Sequence, residues 1–145
     1  MSFDWIVQIL QNYWPMFLRG AGITLLISIT GTVVGFAIGL LAGIVRTIPI
    51  EENAKLIKKV IFKIINAIIS IYVEVFRGTP MIVQAMVIYY GSAQLFNIQL
   101  NNIIAGIFIV SINTGAYMSE IVRGGIISID KGQFEGAHAI GMTHW

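Results

Sequence analysis

Two long stretches of the chain carry no charge: no Asp, Glu, Lys or Arg occurs from Gly20 to Val45 or from Gly78 to Ser119. A helix needs roughly 20 apolar residues to cross the hydrocarbon core of a bilayer. The first run therefore fits one crossing, and the second fits two with a turn between them. Pro80 restarts the chain and Asn97 to Asn102 form a polar turn, so the pattern predicts spans over Gly20–Val45, Met81–Phe96 (with a loosened end near Gly91-Ser92) and Ile103 to about Val122.

The remaining segments read differently. Met1 to Arg19 mixes Trp5, Tyr13, Trp14 and Phe17 with polar groups. Trp and Tyr favour the membrane–water interface, which predicts a short amphipathic entry segment at the surface. Between the two charge-free runs, Pro49 breaks the chain, and Glu52 or Asn53 opens the next helix. From Lys55 to Phe76 isoleucines abound, yet Lys59, Lys63, Asn66, Ser70, Glu74 and Arg77 recur at steps of three or four. On a helix these make one polar stripe, suited to the interface or to a bundle in which the stripe faces protein. Asp130-Lys131-Gly132 is read as a break, with a short segment from Gln133 to Trp145 after it.

Composition sharpens this picture. Of 145 residues, 57% are apolar and only 11% charged, against about a quarter charged in soluble domains. The chain has no cysteine, which excludes a disulfide framework. Its net charge of +2 gives no case for nucleic acid. It carries no Gly-rich phosphate loop with lysine and no metal-ligand cluster; His138 and His144 are the only histidines. The first span is too long for a signal-peptide core, so it is expected to be retained.

Gly31, Gly35, Gly39 and Gly43 place four small residues on one face of the first span. Such a face lets two helix backbones approach closely, either within the chain or at a seam between two copies. If the Lys55 helix does not cross, Arg46, Lys55, Lys58, Lys59, Lys63, Arg77, Arg123 and Lys131 share one side, with Arg19 on the other. If it crosses, Arg77, Arg123 and Lys131 join Arg19. Basic residues favour the cytoplasmic side, so the expectation is three spans with the N-terminus outside.

Two motifs carry a resemblance. Tyr72-Val-Glu-Val-Phe-Arg-Gly-Thr-Pro-Met-Ile-Val-Gln84 and the stretch from Ala116 (Ala-Tyr-Met-Ser-Glu-Ile-Val-Arg-Gly-Gly-Ile) to Gln133-Phe-Glu-Gly-Ala-His-Ala-Ile-Gly141 resemble the permeases of polar amino-acid ABC importers, the histidine and glutamine type. These carry E-x-x-R-G-T-P-x-x-V-Q, A-Y-x-S-E-I-x-R-G-G-I and G-Q-x-E-A-A-x-x-x-G in the same order. The resemblance covers nearly all of the chain; Thr24-Leu25 in the first span also suits it. It implies an all-α, polytopic inner-membrane helical bundle of the type I ABC importer permease fold, with about three spans, an amphipathic helix and a short cytoplasmic coupling helix. It further implies a single transmembrane domain over residues 1–145, with two more spans expected after 145. A chain lacking that pair would leave polar faces unsatisfied in lipid and would be a partial permease.

The residues at the motif positions are Glu74, Arg77, Gly78, Thr79, Pro80, Gln84, Glu120 and Arg123. Glu74 and Arg77 stand one turn apart and can pair, either neutralising each other at a helix end or serving a gate. Thr79-Pro80 suits a helix start, which makes Gly78 a joint between two helices. Glu120 and Arg123 are likewise spaced to pair. Asn113, Tyr117 and Glu120 fall on one face, which either lines a solute path or hydrogen-bonds between helices; a carboxylate there would suit the ammonium of an amino acid. The resemblance makes Gln133, Glu135, Gly136, Ala137 and Gly141 the coupling helix that docks on the ATP-hydrolysing subunit. Without it, the same residues are only a surface helix. Gly136 stands where the family has Ala, at a cost of up to ~1 kcal/mol in helix propensity.

The implied function is the non-catalytic transmembrane subunit of an ATP-driven amino-acid importer in the bacterial inner membrane. Its partners would be the ATPase, an extracytoplasmic amino-acid-binding protein, a second permease copy or sister chain, and lipid, with no cofactor. Two other readings compete: a non-transporting assembly protein that binds the ATPase, and a small channel or secondary transporter with Glu120 as its ion site.

Overall fold

The computed structural model describes residues 3–50 and 55–142, and among these only helices and their connections occur. Helix α1 spans Phe3–Val45, α2 Leu56–Gly78, α3 Met81–Phe96, α4 Asn102–Ile127 and α5 Lys131–Ala139. The Glu52 and Asn53 helix start lies outside the described residues; α2 begins at Leu56 behind Lys55, without a side-chain cap.

Among the described residues, the two helices long and apolar enough to cross a membrane are α1 and α4. They form the main packing pair, and the glycine face of α1 is the reason. A Cβ on Gly35 would lie 2.7 Å from the Ser111 carbonyl oxygen and the Thr114 Cβ; one on Gly39 would lie 2.7 Å from the Gly115 carbonyl oxygen. Gly31 sits in the same way against Val110, and Gly43 against Val122. The close-approach face is thus used within the chain. The partners advance in step along both helices, so α1 and α4 run parallel. Ala105, Ile109, Ala116 and Ser119 are buried along α4.

Two parallel spans require one net return between them, and α2 and α3 divide it. Ser70 of α2 lies beside Arg46 and the Tyr72 hydroxyl donates to the Ile112 carbonyl (2.6 Å). The α2–α3 joint meets Asn113, and farther on the Tyr89 hydroxyl donates to Asn102 Oδ1 (2.7 Å) at the start of α4. Met81–Phe96 is the helix that the sequence pattern predicts, and the second half of α2 shares the return with it. At 16 residues α3 is about 24 Å long, short of the ~30 Å hydrocarbon core, and the second half of α2 covers the rest of α4. Arg77 consequently stands beside Tyr117 of α4, exposed, near Arg46 and Arg123.

Other boundaries also differ. The entry segment is not a separate element: α1 continues through Pro15 for 43 residues. Within it Trp5, Ile6, Ile9, Leu10, Trp14 and Phe17 share one half of the helix, and Asp4, Gln8, Gln11, Asn12 and Arg19 share the other, so the amphipathic pattern is kept as the first turns of α1. α3 does not loosen at Gly91-Ser92. It ends at Asn97, which takes the left-handed conformation (φ 54°). α4 passes Val122 and runs to Ile127.

The last helix starts before Gln133. Asp130 is its N-cap, and its carboxylate accepts from the Gly132 N–H at 2.7 Å. Asp is a strong N-capping residue, so Asp130-Lys131-Gly132 starts the helix rather than breaking it. At the other end Met142 N–H donates to the Ala137 carbonyl and Gly141 N–H to the His138 carbonyl, both at 3.0 Å. This bond pair closes a helix when the residue after the cap is left-handed, and Gly141 has φ +81°.

Candidate functional site

Between α1, α2 and α4 lies a cavity of about 570 Å³ lined by Arg46, Ser70, Val73, Glu74, Arg77, Gly78, Tyr117, Glu120 and Arg123. The polar stripe of α2 builds one wall: Ser70, Glu74 and Arg77 follow at helical spacing, and this is the part of α2 that packs on α4. Val73, on the same side, is 3% exposed. Ser70 is half-buried against Arg46, while Lys63, Glu74 and Arg77 stay exposed.

Glu120 is the most heavily tied group. Arg46 donates to its Oε1, and Arg123 donates to its Oε2 through Nε (3.2 Å) and a terminal nitrogen (3.1 Å). Arg46 also reaches the Ser70 hydroxyl at 3.4 Å. The carboxylate is therefore occupied on both oxygens by guanidinium groups from two directions. Charge-assisted contacts of this kind are the strong ones, so Glu120 clamps the end of α1 to α4.

The Glu74–Arg77 pair expected from spacing is not made. The Arg77 guanidinium instead lies over the Tyr117 ring, 5.5 Å from its centre. A planar cation on an aromatic face gains both stacking and cation–π attraction. Among the described residues, no ion pair or hydrogen bond engages the Glu74 carboxylate.

A second cluster holds the joint. Thr79 and Pro80 are extended, which separates α2 from α3. The carbonyls left open at the end of α2 need donors, and Gln84 supplies them. Its Nε2 donates to the Phe76 carbonyl (3.0 Å), the Thr79 carbonyl (2.9 Å) and the Thr79 hydroxyl oxygen (2.8 Å). Asn113 then donates to Gln84 Oε1 (3.1 Å) and to the Phe76 carbonyl (3.3 Å). Asn113 thus braces helices and does not line the cavity, while Tyr117 and Glu120 do.

The third group stands apart. Gln133, Glu135, Gly136 and Ala137 lie on α5, and Gly141 closes it. The helix has no substantial packing against the bundle, and Phe134, Ile140 and Met142 are exposed.

Sequence reasoning placed Ser70 in the polar stripe, Tyr72 and Val73 in the first motif and Arg46 among the basic residues of one side, but gave none of the four a place in the site. Arg46 carries one signal, being the first charge after an apolar run, but its partner is 74 positions away and nothing local points to it.

Comparison with known proteins places this architecture. The chain is 37% identical over 149 residues to the glutamine transport system permease protein GlnP of Escherichia coli K12, covering all of this chain and 60% of that protein. It is 41% identical over 144 residues to the arginine transport system permease protein ArtQ of Bacillus subtilis, covering 99% and 59%. The crystal structure of an amino acid ABC transporter with histidines superposes with a TM-score of 0.80 at 34% identity, over 99% of this chain and 60% of that one. The inward-facing MetNI methionine ABC transporter shares the fold, with a TM-score of 0.65 at 21% identity. The chain thus spans about 60% of the length of the relatives it matches. Residues 54–145, which hold the stripe, the joint, α5 and every cavity-lining residue except Arg46, match the binding-protein-dependent transport system inner membrane component, and the chain belongs to that family.

Proposed function

We propose that this chain forms part of the permease of an ATP-driven amino-acid importer, with the N-terminus of α1 outside and α5 on the cytoplasmic side. The observation that carries the reading is α5 itself. An isolated helix of nine residues is far shorter than the ~12–15 residues at which helices become marginal in water. Yet this one is capped at both ends, stands clear of the bundle and exposes Phe134 and Ile140. A helix so held presents a face to a partner, here the ATPase that hydrolyses the nucleotide. Glu135 offers that partner an anion, and Gly136 and Ala137 allow close seating.

Motion of the ATPase pair would reach the spans through α5 and the end of α4, where Glu120 ties in α1. The Gly78–Pro80 joint is the other point at which the bundle can bend. An extracytoplasmic binding protein would deliver the amino acid, and a second permease subunit would complete the path. The relatives' names, for glutamine and arginine transport, support a polar amino acid as cargo.

The test is co-purification with the ATPase, with and without residues 130–145, paired with uptake into vesicles. The reading expects ATPase capture to be lost with the segment, and uptake to require the ATPase. Uptake that persists without the ATPase contradicts it.

A further inference from the structure

We propose that the first half of α2 is a contact for anionic phospholipid. Lys55, Lys58 and Lys63 engage the phosphates of acidic headgroups in the inner leaflet, while the apolar side chains behind them enter the acyl boundary. The proposal rests on the importer reading for its sidedness, since that reading puts the end of α1 and the start of α2 at the cytoplasmic face.

α2 is divided by what it touches. In its second half, Ser70 meets Arg46, the Tyr72 hydroxyl meets the Ile112 carbonyl, and Val73 is buried. No residue of its first half is buried. Lys55, Lys58, Lys59 and Lys63 fall between Glu52 and Glu74, with no acidic side chain in that interval. At about 3.6 residues per turn, these lysines share one half of the helix, and Ile57, Val60, Ile61 and Ile64 share the other. Lys55, Lys58 and Lys63 are exposed, and so are the four apolar side chains.

Two faces of such different character need a partner that offers both environments. An acidic protein surface would satisfy the lysines and leave the apolar side chains in water. An uncharged bilayer takes the apolar side chains and gives the lysines no counter-charge. An anionic bilayer surface supplies phosphate with hydrocarbon directly beneath it, and it attracts basic residues on an amphipathic helix. Long lysine stems let the ammonium groups reach the headgroups from a helix seated lower down. The position agrees with this. The apolar span α1 ends at Val45, Arg46 ties that end to Glu120, and α2 starts after one short connection. Its first turns therefore begin near the level at which α1 leaves the hydrocarbon.

The experiment uses the full chain in phosphatidylcholine bilayers that carry a trace of spin-labelled phosphatidylglycerol or spin-labelled phosphatidylcholine. Electron spin resonance reads the share of each label immobilised at the protein. The expected result at low salt is about fivefold enrichment of phosphatidylglycerol, falling towards parity at about 0.5 M salt. Lys58→Gln combined with Lys63→Gln should lose most of the enrichment with helicity and elution unchanged, whereas Arg19→Gln should keep it. Equal immobilisation of the two lipids, or enrichment that neither salt nor the double variant reduces, overturns the proposal. A double variant that keeps the enrichment and loses ATPase capture also overturns it, because the lysines then belong to a protein contact. Lys58→Cys, probed with a membrane-impermeant maleimide, separates the two readings. Labelling of intact cells overturns the inner-leaflet placement together with the orientation of the importer reading. Labelling confined to inverted vesicles, with equal immobilisation of the two lipids, overturns the lipid contact alone.

Discussion

Arg46, one residue past the end of α1, is joined to Glu120 in the body of α4, across 74 positions of sequence. The contact closes the end of the parallel pair that the glycine face brings together. Because Arg123 holds the other oxygen of the same carboxylate, loss of Glu120 strands two cations at once.

Glu120→Gln should therefore destabilise the bundle more than either arginine change. The side chain is 20% exposed, so the cost is about 2 kcal/mol, below that of a fully buried pair. Arg123 is more exposed, at 39%, and shares a helix with its partner, so Arg123→Gln should cost least. Thermal unfolding of the three variants in one detergent checks the order.

Gly39→Leu should prevent α1 and α4 from closing, because the Gly115 carbonyl that a Cβ would meet at 2.7 Å is backbone. The expected loss is about 3 kcal/mol or more. Gly124→Ala, in open space on α4, should instead stabilise by up to ~1 kcal/mol. The same unfolding assay reads both.

Gln84→Leu removes the donor that serves the Phe76 and Thr79 carbonyls and releases Asn113. The loss should be about 2 kcal/mol. Amide exchange should quicken around residues 76–84 before the α1–α4 pair is affected.

What could be read along the chain follows the range of the interactions. The glycine face and the Glu120–Arg123 spacing are visible because both repeat at one or a few helical turns. Arg46 was not, since nothing near it in sequence marks a carboxylate 74 positions on. Glu74 and Arg77 had the spacing of a pair, yet the ring of Tyr117, contributed by another helix, took the guanidinium. Asp130 was misread because Asp-Lys-Gly has the composition of a turn, while its carboxylate serves as a cap. The divided return of α2 and α3 escaped notice for a related reason. A charge-free run marks what lipid tolerates, and it carries no sign that Ser70 and Tyr72 of α2 pack on Arg46 and α4.

On the functional side, Gly136→Ala should tighten ATPase capture. No neighbour lies within 4 Å of the added Cβ, and alanine favours the helical state by up to ~1 kcal/mol. Gly141→Ala should weaken capture, because φ +81° costs a side-chain-bearing residue about 1–2 kcal/mol. Glu135→Lys should leave the fold intact and uncouple uptake from hydrolysis. Pull-down of the ATPase at graded salt, beside uptake, separates the three.

The account depends most on which side of the membrane holds α5. The chain has no cysteine, so one cysteine placed at Glu135 reports its location through a membrane-impermeant maleimide. The account predicts labelling in inverted vesicles, protection there when the ATPase is bound, and none in intact cells. Labelling of intact cells would contradict it.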